Sequence, residues 1–262
     1  DPLRHAVPGV QGLEPYQPGK PNETIERELG IRRIVKLASN ENPRTPHSVI
    51  QAIFEGASDT VSRYPDGSGH ALKEVLADKL DVASNQITLG NGSNDVLELL
   101  VKAYVAPGQG VVVSEHSFAV YSLAAYAAGA DLKTAPADNW GHDLQAMRAM
   151  VDDNTKLIFV ANPNNPTGTV IEFEMLANVA RLSRDVGALF LLDEAYFPYC
   201  PNADGLTLLA ESENVVITRT FSKAWGLAGI RVGFMAASDN HDGWMGNPWS
   251  SMSRPSGLGA FL

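Results

Sequence analysis

Cysteine is almost absent. Cys200 is the single one in 262 residues, so no intramolecular disulfide can form and no multi-cysteine metal cluster can be built. A reducing, cytosolic setting fits that usage. Long apolar runs are also lacking, since nothing approaches the roughly 20 residues of a membrane-spanning helix, and Asp1 to Lys20 lacks the basic-then-apolar layout of a secretory signal. The expectation is a soluble, cytoplasmic protein with no membrane partner. Basic excess is missing too: 30 acidic residues against 20 Lys and Arg give a net charge of −10. With the two signs interspersed, nucleic acid and anionic membrane surfaces are disfavoured as partners. There is no internal repeat and no low-complexity tract.

What is present suffices for a large core, because 44% of the residues are hydrophobic. The first forty are rich in Pro and Gly, with Pro15, Pro18, Gly19 and Pro21 close together, which predicts an extended arm over 1–40. From Gln86 onward, Val111 to Val113, Leu157 to Val160, Ala188 to Leu192 and Val215 to Thr218 read as strands buried on both faces. Helical periods separate them, in Asp95 to Tyr104 and in about Glu172 to Val186. The alternation predicts an α/β fold over 41–237, a mostly parallel sheet with helices on both faces. Ligands gather at the carboxyl ends of such strands. The stretch 238–262 has many Ser and Gly and neither period, so it reads as an irregular tail.

Four polar motifs fall at predicted strand ends. Thr220-Phe221-Ser222-Lys223 runs on through a glycine-rich loop to Arg231-Val232-Gly233. A lone lysine is usually a solvated surface residue, but Ser222 and Arg231 add a hydroxyl and a planar guanidinium, groups suited to phosphate. Asp193 ends an apolar strand and is followed by Glu194-Ala195-Tyr196; seen alone, such an aspartate is as well explained as a turn former. Asn162-Pro163-Asn164-Asn165-Pro166-Thr167-Gly168 is a turn-rich loop. Gly90-Asn91-Gly92-Ser93-Asn94 opens a helix and offers either an anion site of free N–H groups or a simple N-cap.

Each motif is ambiguous, but their order is specific. An anion-binding helix start, an asparagine loop, a strand-end aspartate, then Ser-Lys and Arg together resemble the fold-type I pyridoxal-phosphate aminotransferases. Among these the chain is most similar to the histidinol-phosphate aminotransferases. The resemblance covers Leu13 to about Ala237 and includes Pro15-Tyr16-Gln17-Pro18-Gly19-Lys20, Leu37-Ala38-Ser39-Asn40-Glu41-Asn42-Pro43, Arg63-Tyr64-Pro65-Asp66-Gly67 and Glu115-His116-Ser117-Phe118-Ala119-Val120-Tyr121.

The resemblance implies pyridoxal 5'-phosphate as cofactor, held by Lys223 as a Schiff base, with Asp193 paired to its ring nitrogen. Tyr196 and Asn165 would bind the phenolic oxygen, and Phe118 would stack on the ring. Ser93, Asn94, Ser222 and Arg231 would hold the phosphate, joined by Tyr64 reaching across a homodimer interface. Tyr16 and Asn40 would line the substrate side. The implied reaction moves an amino group from L-histidinol phosphate to 2-oxoglutarate in histidine biosynthesis, with Lys223 as both tether and base. Enzymes acting on aromatic amino acids, or a threonine-phosphate decarboxylase, share nearly all these motifs, and a non-catalytic remnant of the fold is a further alternative.

The resemblance also implies a small C-terminal domain that supplies an arginine for the substrate's anionic group. Arg254 is the only arginine in the tail, and its Ser-Arg-Pro-Ser context is unlike that segment. The expectation is therefore a chain truncated at its C-terminus, with 238–262 of non-family character.

Overall fold

A computed structural model describes residues 2–14, 19–200 and 204–238. Helices α1 (Pro8–Gln11), α2 (Asn22–Leu29), α3 (His47–Ala57) and α4 (His70–Leu80) come first. Strand β1 (Ile87–Gly90) leads into α5 (Ser93–Tyr104), and β2 (Gly110–Ser114) into α6 (Ala119–Ala127) and β3 (Asp131–Ala135). A small hairpin of β4 (Ala137–Asp138) and β5 (Gly141–His142) precedes α7 (Leu144–Ala149). The order finishes with β6 (Thr155–Ala161), α8 (Phe173–Asp185), β7 (Leu189–Asp193), α9 (Leu206–Glu211), β8 (Val215–Thr220) and β9 (Gly233–Ala237).

Seven strands form one sheet in the order β1-β9-β8-β7-β6-β2-β3. All neighbours are parallel except at β9, which runs antiparallel to both β1 and β8. The unbroken apolar runs are explained by what covers them. Val111, Leu157, Phe159, Leu189 and Leu191 pack with Leu97, Leu100 and Tyr121 of α5 and α6. Their neighbours Val112, Ile158, Val160, Phe190 and Leu192 pack on the other face with Met147 of α7, Leu176 and Ala180 of α8 and Leu208 of α9. Successive side chains point to opposite faces of a strand, so a sheet covered on both sides needs apolar residues at every position. Truncating any of the large residues to Ala would cost about 2–5 kcal/mol.

The expected extended arm is partly helical. Asn22–Leu29 forms α2, which follows Pro21 and is closed by Gly30 in the left-handed conformation at φ 67°, its N–H bonded to the carbonyl of Glu26. A proline at the start and a glycine just past the end are helix boundary signals, outweighed in the sequence reading by the density of Pro and Gly. The arm does stay out of the core, since no residue of α2 is buried. The predicted tail, 238–262, lies outside the described residues from 239 on. Among the described residues, no helix is long and apolar enough to cross a membrane.

The reversal at β9 places the site. Gly233, at the start of β9, pairs with Gly90 at the end of β1 and with Thr220 at the end of β8. Two carboxyl ends and one amino end thus meet, and the loops that leave them converge on one point. Parallel pairing of β6, β7 and β8 brings Ala161 beside Asp193, and Asp193 beside Thr218, on the same edge.

Candidate active site

A cavity of about 580 Å³ opens at this edge, within the usual size of small-molecule sites. It brings together Asn40, Ser93, Asn94, Phe118, Asn165, Asp193, Tyr196, Ser222, Lys223 and Arg231, which span nearly two hundred positions of sequence. Tyr64 does not line it and is fully exposed. Tyr16 lies outside the described residues.

Asp193 is the last residue of β7 and is buried. One carboxylate oxygen, Oδ1, accepts from the Thr218 hydroxyl at 3.0 Å and from the Ala195 N–H at 3.0 Å, while Oδ2 accepts from the Tyr121 hydroxyl at 2.6 Å. Burial pushes its pKa up from the ordinary carboxylate range; the three hydrogen bonds and the charge of Lys223 oppose that shift. Each donor therefore favours the charged form of a group that its surroundings disfavour. The Tyr121 phenol moves well above its ordinary range, through burial first and then the neighbouring charge of Asp193, so it remains a neutral donor.

Lys223 follows β8 and is half-buried. Its Nζ donates to the Ser39 carbonyl at 3.0 Å and sits 5.8 Å from the centre of the Tyr196 ring. Burial lowers its pKa, with Arg231 adding to the effect and Glu41 and Asp193 opposing it. A lysine so placed is easier to deprotonate and hence more nucleophilic at neutral pH. Opposite it, the Asn40 amide donates to the Tyr196 hydroxyl at 2.9 Å, so the arm segment Ser39-Asn40-Glu41 closes over both side chains. Glu41 is paired with Lys36 at 2.7 Å, and both line the cavity.

The third group is a cradle for an anion. Helix α5 begins after Gly92, at φ 83°, with Ser93 and Asn94 as its first residues. Free N–H groups at such a terminus attract negative charge. Arg231 adopts the left-handed conformation at φ 61°, which costs a non-glycine residue about 1–2 kcal/mol. Its guanidinium donates back to the carbonyls of Asn91 at 3.1 Å and Ala228 at 3.1 Å. A Cβ on Gly92 would lie 2.4 Å from Arg231 Nη2, so only glycine admits the guanidinium here. Ser222 is held against Thr220, whose hydroxyl lies 3.1 Å from its own.

The turn after Asp193 rests on a buried charged cluster. Glu194 accepts from Arg219 Nε at 2.9 Å and Nη2 at 2.7 Å on one oxygen, and from the Gly205 N–H at 2.7 Å on the other. Arg219 also reaches Asp204 at 2.7 Å and lies 4.0 Å over the Phe197 ring. Burial pushes the Glu194 pKa up to about 7 against the pull of Arg219.

An amine, a buried carboxylate, an aromatic lid and an anion cradle thus share one cavity. Residues 32–256 match the family model described as aminotransferase class I and II. The chain belongs to that family. Among its class I and II relatives, histidinol-phosphate aminotransferase 2 of Pseudomonas fluorescens strain Pf0-1 is 52% identical over 239 residues, covering 88% of this chain and 64% of that protein. The enzyme of the same name from Methylococcus capsulatus strain Bath is 49% identical over 239 residues, with 87% and 64% covered. The chain therefore spans about 64% of the length of these curated relatives. In structure it is similar to the histidinol-phosphate aminotransferase of Sinorhizobium meliloti, solved in complex with pyridoxal-5'-phosphate. There the TM-score is 0.80 at 29% identity, with 97% of this chain and 69% of that one covered. The fold is that of the fold-type I aminotransferases.

Beyond the expected residues, the chain brings Tyr121, Thr218, Thr220, Ser39, Lys36 and Glu41 to the site or directly behind it. Tyr121 had a signal available, since it ends the same motif as Phe118 and lies in the first turn of the helix that Phe118 caps. Thr218 had one in its place on a strand adjoining that of Asp193. Glu41 lay within the stretch from Leu37 to Pro43 that carries the resemblance, whereas Lys36 had no signal, because the arm reaches the cavity only through tertiary structure.

Proposed function

We propose that this chain is the cofactor-binding part of a pyridoxal-phosphate-dependent histidinol-phosphate aminotransferase. The whole enzyme would transfer the amino group of L-histidinol phosphate to 2-oxoglutarate, giving imidazole-acetol phosphate and glutamate, as a cytoplasmic homodimer of histidine biosynthesis. The observation that carries the reading is the meeting of Lys223 and Asp193, whose charges act on each other, in one cavity with the anion cradle.

The residues present fit the cofactor. Its phosphate matches the Ser93 and Asn94 helix start, the Ser222 hydroxyl and the Arg231 guanidinium, on a backbone where Gly92 leaves room for the arginine. Its ring nitrogen matches Asp193, whose Oδ2 accepts from the Tyr121 hydroxyl and retains capacity for another donor. Phe118 would cover the ring, and Tyr196 and Asn165 would bind its phenolic oxygen. When bound, pyridoxal phosphate supplies an electron sink for the substrate's α-carbon.

The chain's own groups supply the rest. The Lys223 amine would hold the cofactor covalently and, when displaced by the substrate amine, would carry the proton lost from the α-carbon at Nζ. Asp193 would keep the ring nitrogen protonated. Asn40 and Tyr16 would line the substrate side, and the exposed Tyr64 would reach the phosphate site of a partner protomer.

Borohydride treatment of the chain mixed with pyridoxal phosphate, followed by peptide mapping, tests the reading. The expected result is a reduced adduct on Lys223 alone, and loss of cofactor absorbance when histidinol phosphate is added to the untreated complex. No adduct, or an adduct on other lysines only, would remove the cofactor assignment.

A further inference from the structure

Tyr121 is a titratable group at the centre of the site to which the reaction assigns no role. It lies on α6 and is fully buried, its ring stacked on Phe159 at 4.6 Å and 10° and set edge-on to Phe118 at 5.7 Å and 88°. Both contacts are among aromatic arrangements that add rigidity beyond simple burial. The ring therefore has little freedom, and its hydroxyl is aimed at Asp193 Oδ2 at 2.6 Å.

The two oxygens of Asp193 are unequally served. Oδ1 accepts from Thr218 and Ala195, whereas Oδ2 accepts from Tyr121. The phenol thus fixes the rotation of the carboxylate about its own axis and leaves a direction open at Oδ2. Phe118, which lines the cavity, leans its ring against the same tyrosine. The face of the cofactor ring and its nitrogen partner would be aligned by one side chain.

We infer that Tyr121 is a positioning residue: its hydroxyl holds Asp193 as an ionised carboxylate turned toward the ring nitrogen of the cofactor. The inference rests on the pyridoxal-phosphate reading above. A phenol donating to a carboxylate lowers that carboxylate's affinity for a proton, so the proton shared between Asp193 and the ring stays on the nitrogen. Burial alone would drive it the other way, onto the carboxylate.

The test uses pyridoxal phosphate labelled with ¹⁵N in its ring, bound to the chain and to Tyr121→Phe, which keeps the aromatic stack. The expected wild-type resonance is that of a protonated ring nitrogen. In Tyr121→Phe it should move toward neutral pyridine, with cofactor affinity about tenfold weaker, in keeping with one hydrogen bond to a charged group. An unchanged resonance in the variant with cofactor bound would overturn the inference. A wild-type chain with no cofactor resonance and no adduct on Lys223 would instead overturn the reading beneath it. A second comparison, Asp193→Asn against Asp193→Asn with Tyr121→Phe, covers the case in which the single Phe variant does not fold. With no carboxylate to hold, the two should bind the cofactor within about twofold of each other, since coupled residues depart from additivity. An equal tenfold loss in that background would show that the Tyr121 hydroxyl acts independently of the Asp193 carboxylate, and the inference would fail.

Discussion

A Cβ on Gly233 would lie 2.3 Å from the amide nitrogen of Ser93. The first residue of β9 is therefore in contact with the first turn of α5, and the antiparallel pairing of β9 sets how closely the two anion-binding elements approach. Gly92, one residue before the helix, meets only the end of the Arg231 side chain. The two glycines should respond differently to alanine. Gly233→Ala must displace backbone and should destabilise the chain by about 1–3 kcal/mol, the usual range for overpacking. Gly92→Ala can expel the guanidinium instead, so cofactor affinity should fall about tenfold or more through loss of a charge-assisted contact, with less change in stability beyond the strain of its positive φ. Urea denaturation and titration with pyridoxal phosphate, run on both variants, separate the two effects.

Lys223 gives a pH prediction. Its amine titrates below the ordinary 10.5, chiefly through burial, and only the neutral amine attacks an aldehyde. The rate at which the chain captures pyridoxal phosphate should rise with pH and reach its half-maximal value below 10.5, as followed by cofactor absorbance. Lys223→Arg keeps a cation but no nucleophile, and it should yield no borohydride-stable adduct. Its turnover should be lower by about two to four orders of magnitude if Lys223 also serves as base. A half-maximal point at or above 10.5 would contradict the described surroundings of the amine.

Much of the fold could be read in the sequence, for identifiable reasons. Strands apolar at every position, such as Leu189 to Leu192, have few alternatives to a sheet covered on both faces. The helix α5 declared itself through its period and its glycine-rich start. Helices α3 and α4 were not foreseen, since they lie ahead of the alternating strand and helix pattern that begins near Gln86. Among site residues, those embedded in motifs were legible: Asp193, Ser222, Lys223 and Arg231 all come to the cavity. The residues that support them were less so. Tyr121, Thr218 and Arg219 act through contacts made across strands and between layers, and no local spacing records which hydroxyl meets which carboxylate.

Glu194 predicts how stability varies with pH. Its pKa rises from an ordinary 4.5 to about 7 in the folded chain because it is buried. Between those values the folded state holds a proton that the unfolded state has lost, so stability falls as pH rises through the window. The contribution is fully present below 4.5 and gone above about 7. Glu194→Gln removes the titration, and its single amide oxygen can accept from Arg219 or from the Gly205 N–H, which costs one of the two partners at every pH. The difference in unfolding free energy between wild type and variant should therefore slope downward from pH 4.5 to 7 and be flat beyond. A difference independent of pH would mean that Glu194 is ionised throughout, with Arg219 outweighing its burial.

The aromatic stack beneath the site can be separated from the core at large. Phe159 is fully buried and packs on the face that holds Tyr121 and α5, whereas Leu176 is equally buried on the opposite face with α8. Truncation of either to Ala opens a cavity, and each should cost a few kcal/mol, about 3–5 for Phe and 2–5 for Leu. Of the two, Phe159 alone stacks on the ring of Tyr121. Phe159→Ala should release that ring, loosen its hydroxyl from Asp193 and weaken binding of pyridoxal phosphate, while Leu176→Ala should leave the affinity of the folded fraction near that of wild type. Denaturation curves establish that the two lose comparable stability, and titrations at a temperature where both remain folded then compare affinities. Equal affinities would mean that the stack serves stability and has no hold on the carboxylate.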